Sequence, residues 1–88
     1  MNKKMYIGLE LPVATAPKVL AFNETLKKGE GSYDSWLVLA VRERTIHPFA
    51  VWLVADRPEG LYVYSGTYCQ TLEEARESFM YRGGVLTA

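Results

Sequence analysis

Between Ser35 and Tyr68 the chain is apolar on both alternations of its side chains, and few folds accept such a pattern. Three stretches there, Ser35 to Arg44, Pro48 to Ala55 and Leu61 to Tyr68, are rich in β-branched and aromatic residues and are divided by turn formers. They read as three consecutive strands. Successive side chains on a strand point to opposite faces, so residue parity sorts them into two sets. Leu37, Leu39, Val41, Phe49, Val51, Leu53, Leu61 and Val63 make an aliphatic face. Trp36, Val38, Ala40, Ala50, Trp52, Val54, Tyr62 and Tyr64 make a more aromatic one. An antiparallel sheet with one wet face alternates apolar with polar, which these strands do not, so both faces need a cover.

The flanking segments supply candidates for that cover. Met5 to Leu11 reads as a short edge strand closed by Pro12, which cannot donate to a sheet ladder. Thr15 can cap a helix with Pro17 in its first turn. Val19, Phe22 and Leu26 follow at helical spacing, Lys27 and Lys28 suit the negative end, and Gly29 supplies the stop. Asp56-Arg57-Pro58-Glu59-Gly60 reads as a five-residue hairpin loop, and Thr45-Ile46-His47 as a looser connection. Thr71-Leu72-Glu73-Glu74 is a capping box, in which Thr71 and Glu74 satisfy each other's orphan backbone donors; Leu72, Ala75 and Phe79 form the inward stripe of the helix it starts, and Gly83-Gly84 ends it. The expected fold is α+β, in the order β-α-β-β-β-α: a three- to four-stranded antiparallel meander with two helices. Residues 1–88 make a single domain, with 85–88 as a flexible tail.

Eighty-eight residues leave no material for a second core, and a domain this small has little stability to spare. A hydrophobic fraction of 49% excludes intrinsic disorder. Ten basic residues balance ten acidic ones, so there is no global positive field to hold a polyanion, and nucleic acid is disfavoured as a partner. Cys69 is the sole cysteine, which excludes an intramolecular disulfide and a multi-thiolate metal site and suits a cytoplasmic setting. Lys3 and Lys4 ahead of an apolar stretch, with Ala14-Thr15-Ala16 beyond, mimic a secretory signal, but Glu10 and Pro12 interrupt the stretch. No segment approaches the ~20 apolar residues of a membrane-spanning helix.

Catalytic chemistry has no assembled constellation. His47, the sole histidine, precedes Pro48 as a turn residue, and Ser35, Ser65 and Cys69 lie in no nucleophile signature. Cys69 reads as a small buried residue. Ser65-Gly66-Thr67 and Gly83-Gly84 are bends and stops, too sparse for phosphate loops. Glu73, Glu74 and Glu77 are accounted for by the helix dipole, and neither Asp34 nor Glu10 has a partner carboxylate at a defined spacing. The expectation is a protein that is not an enzyme and uses no catalytic residue, metal or cofactor.

Three resemblances bear on partners. Strand, hairpin, strand and the Thr-Leu-Glu-Glu-Ala-Arg helix over residues 49–82 resemble the three-stranded DNA-reading domains of phage integrases and plant AP2 factors, which implies a sheet face set against the major groove; this chain has the Trp residues but few basic side chains there. The α-β-β-β-α order from residue 15 is similar to a double-stranded-RNA-binding domain, yet glutamates open the second helix where that family places lysines. His47-Pro48-Phe49-Ala50-Val51-Trp52, Gly66-Thr67-Tyr68 and Thr71-Leu72-Glu73-Glu74-Ala75 resemble the small α+β proteins of phages and plasmids, the anti-CRISPR proteins among them, which implies inhibition of a host complex by binding to it.

The second apolar face can be covered by a helix, by the N-terminal segment folded over it, or by another molecule. Trp and Tyr dominate interface hot spots, and large exposed apolar patches bind something. The leading expectation is therefore a protein-binding module that acts by occlusion through Trp36, Trp52, Tyr62, Tyr64 and the flanking Arg42 and Arg44. A DNA-binding domain using the same face and a homodimer sealed sheet to sheet are the alternatives.

Overall fold

The computed structural model describes residues 5–24 and 35–82. Four antiparallel strands, β1 (Lys18–Glu24), β2 (Ser35–Val41), β3 (Phe49–Arg57) and β4 (Gly60–Cys69), lie side by side in chain order, and one helix, α1 (Leu72–Tyr81), packs on one face. The meander is as expected. The two-helix arrangement is not: among the described residues there is one helix, and the first expected helix is strand β1.

The reason lies in a single extra residue. Val19 pairs with Ala40 and Ala21 with Leu39, so Leu20 is a bulge opposite no residue of β2. The bulge turns Val19 and Phe22 to one face while Ala21 packs on the other. A bulged strand thus mimics the i, i+3 spacing of a helix. Leu26, Lys27, Lys28 and Gly29, the rest of that expected helix, lie outside the described residues, as do Gly83, Gly84 and the 85–88 tail.

The Met5–Leu11 strand is also corrected. The segment runs beside β1 as an irregular arm with one isolated bridge, Glu10 to Lys18. The Gly8 N–H donates to Val19 O at 2.8 Å, the Val19 N–H to Leu9 O at 2.9 Å and the Leu11 N–H to Pro17 O at 2.8 Å. These bonds hold the arm so that Met5, Leu9 and Leu11 fold over Trp36, Val38, Trp52 and Val54. The opposite face is closed by α1, whose Ala75 and Phe79 pack on Leu37, Leu39, Val51 and Cys69. The sheet is thus the middle of three layers, and its central strands are buried on both sides.

Candidate functional site

Which side chains remain on the surface is decided by how β4 joins β3. The connection is shorter than expected: the strands pair through Arg57 and Gly60, leaving Pro58-Glu59 as the turn. Proline presets one corner, and Gly60 takes φ +131°, which residues with a Cβ rarely adopt. A two-residue turn pairs odd with even residues, so Val63 faces Val54 and Tyr64 faces Leu53. The parity expected for β4 is reversed. Leu61 and Val63 join the tryptophan face, while Tyr62 and Tyr64 share the face of Leu53 and Ala55.

The parity then changes again within the same strand. Trp52 is opposed by two residues, Ser65 and Gly66, between the Leu53–Tyr64 and Val51–Thr67 pairs. Ser65 takes φ +58°, and Gly66 lies against the indole so closely that a Cβ there would overlap Trp52 Nε1 and Cδ1. This bulge makes room for the Trp52 indole. It is braced from below by Arg82, at the end of α1: Nη1 donates to Val51 O at 3.0 Å and to Thr67 Oγ1 at 3.3 Å, and Nη2 to Ser65 Oγ at 3.2 Å. Past the bulge, Tyr68 returns to the tryptophan face and meets Trp52 edge-on, with ring centroids 5.9 Å apart.

The six residues singled out in the sequence do not form one surface. Trp36 and Trp52 are 8% and 5% exposed, sealed under the N-terminal arm as core. Arg42 is used internally: its Nε and Nη2 donate to His47 O at 3.2 and 2.6 Å, closing the β2–β3 loop, and its guanidinium lies 4.7 Å from the Tyr68 ring centroid. Arg44 is exposed in that loop, with φ +63°. Both arginines lie at the end of the sheet away from Tyr62 and Tyr64, about 20 Å along the strands.

Tyr62 and Tyr64 remain as a surface of their own, 47% and 37% exposed. Their rings stack at 5.5 Å with 28° between planes, and the Arg57 guanidinium sits 4.1 Å from the Tyr62 centroid. From the sequence, Arg57 reads as part of the hairpin loop and not as a candidate site residue. A hairpin closed at Pro58-Glu59 places it on the same face as Tyr62, so the turn length was the signal that could have found it. No charged residue occurs from Gly60 to Leu72, so an arginine-flanked tyrosine pair stands on an otherwise uncharged outer strand.

Glu74 and Cys69, two further candidates for chemistry, have structural roles, and Asp34 lies outside the described residues. The Glu74 N–H donates to Thr71 Oγ1 at 3.1 Å, the N-cap half of the expected capping box, while Glu74 Oε1 accepts from the N–H of Gln70, one residue before the cap, also at 3.1 Å. Cys69 is buried under α1; burial first, and the Glu74 carboxylate second, raise its pKa above the ordinary thiol value. That shift favours the inert thiol over the thiolate. Among the described residues no group of three or more His, Cys, Asp or Glu side chains could hold a metal ion, and no helix is long and apolar enough to cross a membrane. Comparison of the chain with protein families, with curated proteins and with solved structures gives no match.

Proposed function

We propose that this chain is a protein-binding module that works by steric occlusion and makes its contact through Tyr62, Tyr64 and Arg57. The observation that carries the reading is the stacked tyrosine pair held under a guanidinium on an exposed strand. Tyrosine offers a wide amphipathic contact with few rotatable bonds, and Tyr and Arg are enriched where binding energy concentrates. Stacking and the cation–π contact order these side chains before any partner arrives, which lowers the entropy lost on association. Inhibition of a host complex, in the manner of the small phage and plasmid proteins that the sequence resembles, is the activity such a module can perform by binding alone.

The test is capture from the native host with the intact protein and with a Tyr62→Ala, Tyr64→Ala double variant. Both positions are exposed, so the folded state should persist, which circular dichroism checks. A protein retained by the wild type and lost from the double variant supports the reading; equal retention by both contradicts it. Bound nucleic acid, released steeply as salt rises, would replace this reading with the DNA-binding one.

A further inference from the structure

We infer that the free edge of β4 pairs with β4 of a second copy of this chain, joining two four-stranded sheets into one of eight strands. Among the described residues the sheet order leaves β4 as the outermost strand, hydrogen-bonded to β3 on one side only. Proteins normally blunt such an edge with lysine, proline, an inward charge or a bulge, because an open ladder invites another strand. Between the Pro58-Glu59 turn and the Ser65-Gly66 bulge, the edge runs Gly60-Leu61-Tyr62-Val63-Tyr64 and carries none of these devices. Three of those five residues, Tyr62, Val63 and Tyr64, are strand formers.

The occupant follows from the chemistry of the strand. Two copies of an edge meet across a twofold axis, so any charge on it would be brought near its own like; this edge has no charge to repel. With the axis at Val63, an antiparallel pair sets Tyr62 beside Tyr64 of the partner subunit, and Tyr64 beside Tyr62 of the partner subunit. Pairing beyond Tyr64 stops where the bulge turns the strand and Arg82 occupies Ser65. Edge pairing uses backbone groups and leaves both faces of the sheet open. The two stacked tyrosine pairs would then form one continuous four-ring platform with an arginine from each copy. This inference rests on the binding role proposed above, and it makes the partner-facing surface a joint product of two chains.

The experiment is sedimentation equilibrium of the purified protein over a range of concentrations. The expected result is a reversible monomer–dimer equilibrium that a Tyr62→Lys, Tyr64→Lys variant weakens about tenfold or more, since it exchanges two aromatic pairs for two like-charge pairs. Tyr68→Lys, past the bulge on the same strand, should leave the equilibrium unchanged. Mixing the double lysine variant with a Tyr62→Glu, Tyr64→Glu variant should restore association as a heterodimer, a recovery that misfolding cannot produce. A monomer at every concentration overturns the inference, as does a dimer indifferent to the lysine pair. A monomer that still captures a host protein overturns this inference alone, whereas a dimer that captures nothing leaves it standing and removes the binding role.

Discussion

The two faces of the sheet are equally apolar and are covered by opposite means. On one, α1 is a regular element with its own local start signal: Thr71 caps its N-terminus, and Ala75 and Phe79 present a fully buried stripe. On the other, the N-terminal arm has no repeating backbone ladder and is held by scattered bonds to Pro17 and Val19. It contributes through side chains, with Met5 and Leu11 2% and 1% exposed. Local sequence can specify the first kind of cover. The second forms only when the sheet already exists to receive it, so its order depends on tertiary burial.

This contrast is open to direct challenge by substitution. Phe79→Ala should have the largest effect, a loss of about 3–5 kcal/mol, because the ring is fully buried between helix and sheet. Leu11→Ala should cost about 2–5 kcal/mol; urea titrations of both variants would test the pair, and a loss under about 1 kcal/mol at Leu11 would show that the arm covers nothing. Gly66→Ala should cost about 1–3 kcal/mol, since the indole of Trp52 must move from its seat in the bulge. Its signature is a change in near-ultraviolet circular dichroism with the far-ultraviolet spectrum kept. Thr71→Ala should be mildest, about 1 kcal/mol from loss of the cap. If Thr71→Ala instead proved as costly as Phe79→Ala, the helix would depend on its own end more than on packing.

The same contrast explains what could be read in advance. The helix at Leu72–Tyr81 and the three strands that follow one another from Ser35 were legible because capping and β-rich runs are local signals. Strand β1 was hidden by its bulge at Leu20, which counterfeits helical spacing through Val19 and Phe22. The face of Tyr62 and Tyr64 depended on whether the hairpin loop held five residues or two, and no local rule distinguishes these once Pro58 and Gly60 fit either. Of the candidate residues, Tyr62 and Tyr64 were picked by strand parity and are exposed, but on the face opposite the one expected. The tryptophans were misplaced because exposure is a property of the whole fold, and composition alone cannot separate an aromatic core from an aromatic surface.

The arm seals Trp36 and Trp52 as core, while Tyr62 and Tyr64 stay outward as a stacked pair. The chain has two tryptophans, both under the arm, so its indole fluorescence reports on the seal without labelling. The intact protein should show blue-shifted emission and strong protection from acrylamide quenching, with both properties lost together on unfolding. Emission and quenching close to those of free tryptophan in the folded protein would contradict the account, since they would place Trp36 and Trp52 in water.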